Sequence, residues 1–226
     1  VSINEIDVVR WLHILAMVYW LGGEWGVFQT SYNVVNRKLT LDERRRHMET
    51  AYRIDILART GIIMLLPLGL HMGALYGFVP LEGTSLAIMW ALGLGWLALC
   101  WAAFFARESD LGIRLTKLDE SVRYVVIPAL LIVGGLGLFN QGPLSIADGQ
   151  HWYPAKMVTY GVMLILGLLL RFIMREWTTL FRVLAEGPNA EAEGKLERSI
   201  AFGRSIAYCY WIGIATTAFF GAVKPF

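Results

Sequence analysis

The chain has 226 residues, 56% of them hydrophobic, with a formal net charge of +2 and a mean hydropathy of +0.52. Soluble domains hold about 45–50% apolar residues, so this composition excludes an ordinary soluble domain, and the near-neutral charge carries no nucleic-acid signature. The two cysteines, Cys100 and Cys209, both fall in apolar runs, which argues against a disulfide or Cys–metal framework and reads them as small packing residues.

A membrane-spanning helix needs roughly 20 mostly apolar residues, each adding about 1.5 Å. Six runs meet that requirement: 8–31, 54–79, 85–105, 122–139, 152–174 and 200–223. They predict an all-α, polytopic six-helix transmembrane bundle with one domain, 1–226, in contact with the lipid bilayer. Ahead of the first run stand Glu5, Asp7 and Arg10 rather than a basic stretch, and no small-residue cleavage site follows it. It is therefore expected to remain as a helix. On this helix His13, Met17, Trp20 and Glu24 recur at i, i+4, i+7 and i+11 and share one face. Glu24 falls near the bilayer centre beside Gly22, Gly23 and Gly26, as a proton relay or as a neutral carboxyl bonded to a neighbouring helix.

The basic segment 36–53 reads as a charged helical extension, with Thr40 and Glu43 spaced as a capping box. In the second span Pro67 is expected to kink the helix one turn before His71, while Gly69 and Gly73 leave room beside it. A tight turn at 77–83, containing Pro80, leads to the third and fourth spans, whose glycines read mainly as close-packing positions. The longest non-basic loop, 140–152, ends in His151. Helix 5 then opens with Lys156, Thr159 and Tyr160. Gly187-Pro188-Asn189 should end it, with a surface helix restarting at 190–198 before the sixth span.

Basic residues are placed unevenly. Arg37, Lys38, Arg44, Arg45, Arg46, Arg53 and Arg59 follow span 1; Arg107, Arg114, Lys117 and Arg123 follow span 3; Arg171, Arg175, Arg182, Lys195, Arg198 and Arg204 follow span 5. Only Arg10, Lys156 and Lys224 mark the other side. The positive-inside rule then puts these three connections in the cytoplasm and both termini outside, as in a multi-pass protein of a bacterial inner membrane.

Ionisable residues inside spans are functional candidates. His13, His71 and His151 lie toward the non-cytoplasmic side; His47 lies in the basic loop. Two neutral imidazoles from neighbouring helices, His13 and His71, suit the axial positions of a haem b. Arg10 and Lys156 would pair with propionates, and Trp20 would pack on the macrocycle. Copper is the alternative, held by His13, His71 and His151 with the thioethers of Met72 and Met157. Nucleotide loops, hydrolase triads, HExxH and CxxC are absent from the sequence.

Trp11-Leu12-His13-Ile14-Leu15-Ala16 through Trp20-Leu21-Gly22-Gly23, Gly69-Leu70, the Trp152-x-x-Ala155-Lys156 pattern and the final Val223-Lys224-Pro225-Phe226 occur in this order. In these segments, from helices 1, 2, 5 and 6, the chain resembles HemJ-type protoporphyrinogen oxidases and related CopD-type membrane proteins. The resemblance implies bound haem b, an essential histidine at His13 and an essential lysine at Lys156. Two spans, 85–105 and 122–139, have no counterpart in that pattern, and His71 stands where the family carries an apolar or aromatic residue. A second histidine points from oxidase catalysis to electron transfer. The expected function is thus a cytochrome b-like subunit passing electrons between the quinone pool and an outer-face partner. The alternatives are a protoporphyrinogen IX oxidase dependent on His13 and Lys156, and an accessory subunit of a larger membrane complex or a copper-handling protein; the candidate catalytic residues are Lys156 and, as a proton relay, Glu24.

Overall fold

The computed structural model describes residues 3–107 and 109–226. Among these the chain is all-helical, with six helices: α1 Glu5–Val34, α2 Leu41–Leu75, α3 Gly83–Phe105, α4 Asp110–Leu138, α5 Trp152–Ala185 and α6 Ala190–Val223. Each is long and apolar enough to cross a membrane. Many large apolar side chains point outward, including Trp11, Val18 and Trp25 on α1, Leu92 on α3 and Ile212 on α6. Outward Trp and aliphatic residues on every side are what a lipid-facing bundle requires.

Local signals set the helix starts. The Thr40 hydroxyl accepts from Glu43 N at 3.3 Å and the Glu43 carboxylate accepts from Thr40 N at 2.8 Å, closing the capping box read from the sequence. Ser109 caps α4 through Gly112 N, and Asn189 caps α6 through Ala192 N. α5 ends at Ala185, just before Gly187-Pro188. The expected surface helix at 190–198 is no separate element. It runs on without a break as the first turns of α6, and the 41–53 extension is likewise continuous with α2. Neither junction contains the proline or glycine that a break demands.

α1 packs along α2, α3 bridges α2 and α4, and α5 packs between α4 and α6; α1 and α6 meet only sparsely. The α1–α2 seam is tight because glycines face it. A Cβ on Gly23 would sit 2.8 Å from the Ala58 Cβ, and one on Gly61 2.7 Å from Trp20 N. These glycines thus serve close packing. Two cores result. One surrounds Trp20, Ile63, Leu164 and Tyr210. The other, around Met48, Met174, Trp177 and Leu196, joins the extended ends of α2, α5 and α6. Cys100 is buried in the first core, whereas Cys209 is exposed. Cys209 therefore does not fill the interior packing role expected for it.

Candidate functional site

Two internal spaces lie along the bundle, separated by Trp20 and Tyr210. The larger is a cavity of about 560 Å³ at the end that holds the start of α1 and the close of α6. That volume falls within the roughly 300–1,000 Å³ of small-molecule and cofactor sites.

α1 supplies Arg10, His13 and Trp20 to this cavity, α2 supplies Gly69 and, just past its last residue, Tyr76, α5 supplies Trp152 and Lys156, and α6 supplies Thr217 and Gly221. Lys156 Nζ lies 3.3 Å from His13 Nε2. With the ammonium donating, Nε2 accepts and the ring proton sits on Nδ1. His13 Nδ1 is itself buried with no hydrogen-bond partner. A buried polar atom in that state costs about 1–3 kcal/mol, so a ligand that engages the ring recovers energy. Small residues frame the pair. A Cβ on Gly69 would meet His13 Cε1 at 3.4 Å, and one on Gly221 would meet Lys156 Nζ at 2.6 Å.

A cationic rim borders the cavity. Arg10 Nη2 donates to the Tyr76 hydroxyl at 3.0 Å. Lys224 Nζ sits 4.9 Å from the ring centroids of both Tyr76 and Trp152. Trp152 N donates to the Phe226 carbonyl at 2.9 Å, which lays residues 224–226 across the rim. At the floor, Trp20 is 1% exposed and its indole donates to the Tyr210 hydroxyl at 3.0 Å. The walls are otherwise mainly aliphatic and aromatic, with Met72 and Met157 among them.

His71 takes another course. Its Nδ1 accepts from the Trp90 indole at 3.3 Å, and its Nε2 stands 3.2 Å from Glu5 Oε1, an ion-pair separation without hydrogen-bond alignment. It does not line the cavity. The reason is angular. Gly69, Met72 and Tyr76 share the cavity-facing stripe of α2, and His71, two positions from Gly69, is turned about 200° from it. The flat space expected beside His71 is filled on one side by the His13 ring at Gly69 and on the other by Tyr153, which packs against Gly73. His151 is also apart, at the start of α5, with Nε2 3.0 Å from Asn140 Oδ1. The expected axial pair His13–His71 and the copper set His13–His71–His151 are therefore not assembled. Among the described residues no group of three or more His, Cys, Asp or Glu side chains could hold a metal ion.

The second space is a chamber of about 60 Å³ beyond Trp20, lined by Glu24, Asp55, Arg59, Arg123, Arg171 and Arg204 among others. Arg59 pairs with Asp55, Arg171 with Asp119, and Arg175 with Glu120. Asp119, fully buried, also accepts from the Trp96 indole at 2.8 Å. Counting arginines as topology markers overlooks this network. Its signal was present as two Asp-x-x-x-Arg spacings, Asp55–Arg59 and Asp119–Arg123, which place opposite charges on one helix face. Glu24 reaches this chamber rather than the large cavity.

Comparison of the chain with protein-family profiles, with curated proteins and with solved structures finds no match in any of the three.

Proposed function

We propose that the chain is an integral membrane redox protein whose large cavity binds haem b or a closely related tetrapyrrole on His13 and Lys156. The observation that carries this reading is the 3.3 Å contact of His13 and Lys156 inside a largely apolar cavity of about 560 Å³. All four segments behind the family resemblance line it, through His13 and Trp20, through Gly69 and Leu70, through Trp152 with Lys156, and through Lys224. The residues fit such a group. With Lys156 turned from His13 to a propionate, the Nε2 lone pair of His13 would be free for iron; Arg10 and Lys224 would add cations for propionates, and Trp20 and Tyr160 apolar faces. Haem b supplies one-electron chemistry when bound. The chain's own part is to orient the carboxylates at the cationic rim, exclude water with the residue 224–226 segment, and hold a proton at Lys156 Nζ next to His13.

One imidazole rather than two favours a site open to substrate, and hence oxidation of protoporphyrinogen IX, over a six-coordinate carrier between quinone and an outer partner. Membranes containing the protein should show a Soret band that shifts on dithionite reduction and vanishes in His13→Ala. A colourless, folded preparation rejects the haem reading. Failure of a well-expressed protein to complement a strain lacking protoporphyrinogen oxidation rejects the enzymatic one.

The same reading places the bundle in a bacterial inner membrane, with the Arg37–Arg46 region and the α5–α6 connection in the cytoplasm and both termini outside. Cysteine-accessibility labelling at Ser145 and Gly187 tests it: Ser145→Cys should react from outside and Gly187→Cys only after permeabilisation.

A further inference from the structure

Four helices wall the large cavity, and three of the four seams between them are closed at its level. α1 meets α2 where Gly61 faces Trp20 and Gly69 faces His13. α2 meets α5 where the Tyr153 hydroxyl donates to the Gly69 carbonyl at 3.3 Å and the Tyr160 hydroxyl to the Ile62 carbonyl at 2.6 Å. α5 meets α6 where Gly221 faces Lys156 and the Thr217 hydroxyl donates to the Thr159 hydroxyl at 3.1 Å. The α1–α6 seam differs. It is stitched only from the cavity floor onward, by Trp20 with Tyr210, by Trp25 stacked 4.6 Å from Trp211, by Phe28 against Tyr208, and by Ser31 with Arg204. Between floor and rim no hydrogen bond, ion pair or ring contact joins these two helices among the described residues. There both line the cavity instead, α1 with Ile14 and Met17, α6 with Ala218 and Ala222. Ile14 is 51% exposed and Ala222 is exposed too, so the cavity reaches the outer surface of the bundle along this line. Trp11, Leu15, Phe219 and Val223 point outward beside it, which gives the gap apolar lips that suit lipid rather than water. The charge of the lining is one-sided. It holds Arg10, Lys156 and Lys224 and no carboxylate. Arg10 reaches Asp7 at 3.5 Å on the exposed side, while Lys156 meets His13 and Lys224 meets two aromatic faces, neither in an ion pair among the described residues.

We propose that the gap between α1 and α6 is a lateral portal through which the large cavity takes up an amphipathic acid dissolved in the membrane, its apolar body passing between Ile14 and Ala218 and its acidic head held by Arg10 and Lys224. Taking an acid through hydrocarbon is costly when its charge is bare. Arg10 lies one turn of α1 from Ile14, and Lys224 lies just past the end of α6, so the head meets cations at the end of the bundle while the body moves below it. The inference rests on reading the cavity as a ligand site in a membrane-spanning bundle, and it does not require the ligand to be a tetrapyrrole. A tetrapyrrole with propionates is one such acid. A free acid and an anionic phospholipid share the same chemistry of acidic head and apolar body; the portal is assigned to the free acid, whose single body the cavity of about 560 Å³ can hold.

The test uses the purified full chain carrying Met17→Cys and Cys209→Ser in phosphatidylcholine nanodiscs. The introduced thiol is offered a hexadecyl methanethiosulfonate dissolved in the lipid or, separately, a sulfonate-bearing one in the water, and its labelling is followed by peptide mass spectrometry. The lipid-borne reagent should label it. Ala218→Trp or Ile14→Trp should slow that labelling severalfold and leave a lipid-facing control, Val18→Cys, unchanged. Dodecanoate should protect the thiol and dodecanol should not, and Arg10→Gln with Lys224→Gln should weaken the protection about tenfold. Lipid-borne labelling that is absent from folded protein, or indifferent to both bulky variants, overturns the portal, as does faster labelling from water that neither variant slows. Protection by phosphatidylglycerol with no added acid assigns the site to a phospholipid head and overturns the proposal. Protoporphyrin IX separates this inference from the haem reading: if dodecanoate protects and protoporphyrin IX does not, the portal stands and the tetrapyrrole falls, whereas protection by neither overturns the portal's ligand class. If Ala218→Trp does not fold, Ile14→Trp on the opposite lip decides.

Discussion

Lys156 Nζ and His13 Nε2 stand 3.3 Å apart across the large cavity, bringing α5 and α1 together through side chains 143 residues apart in sequence. Neither helix packs extensively on the other, so this contact is made through the cavity rather than through a shared seam.

If His13 holds the tetrapyrrole, the three histidines toward this end behave unequally on substitution. His13→Ala abolishes the pigment, whereas His71→Ala and His151→Ala keep the Soret band at the wild-type position. Reduced-minus-oxidised spectra of purified variants measure this. A colourless His71→Ala protein that remains folded returns His71 to the ligand set.

Gly221 should act as a spacer for Lys156. A methyl group there meets Nζ at 2.6 Å, and because the lysine end is flexible it yields by moving off His13. Gly221→Ala is therefore expected to leave the melting temperature close to that of the parent while weakening retention of the bound pigment severalfold. A large loss of thermal stability with unchanged pigment contradicts this assignment.

Asp119 is the structural hub of the buried ion network, accepting from Arg171 and from Trp96. Removing one partner of such a group costs about 3–5 kcal/mol, because a cation is left uncompensated. Asp119→Asn should therefore be strongly destabilising, and adding Arg171→Met should recover part of the loss. Unfolding of the single and double variants in mixed micelles provides the comparison. Independent, additive effects would dissolve the coupling.

Outside the apolar spans, Arg44 clasps Glu193 through two hydrogen bonds of 2.7 and 2.8 Å and fastens the start of α2 to the start of α6. Those bonds hold the Glu193 carboxyl below its usual range. Its contribution to stability is thus present above the ordinary carboxylate value of about 4.3 and is lost as pH falls through the depressed one. Proteolysis at the 186–189 connection should accelerate over that acidic window in the parent chain and show no such step in Glu193→Gln.

How much of this was legible beforehand follows from the range of each signal. The six helices were, because runs of apolar residues and caps such as Thr40–Glu43 are local. The joining of Lys156 and Lys224 to His13 was readable only through the order of short motifs. The direction of His71 was not: depth along the helix placed it beside His13, but azimuth decides, and only Gly69 facing His13 fixes the azimuth. The chamber was missed for a related reason. Arg59, Arg123 and Arg171 carry the sign expected of flanking residues, and sign alone does not tell a cation at the lipid surface from one turned inward onto a carboxylate.

α2, α5 and α6 run for 35, 34 and 34 residues, about 50 Å each, against about 30 Å of hydrocarbon. Their surplus turns are welded together by the second core. α5 has no proline after Pro154 and α6 has none at all, so each is a stiff rod carrying Arg171 or Arg204 at one level and Lys156 or Gly221 at the next. Displacing the joined ends of α5 and α6 would therefore move the walls of both internal spaces together.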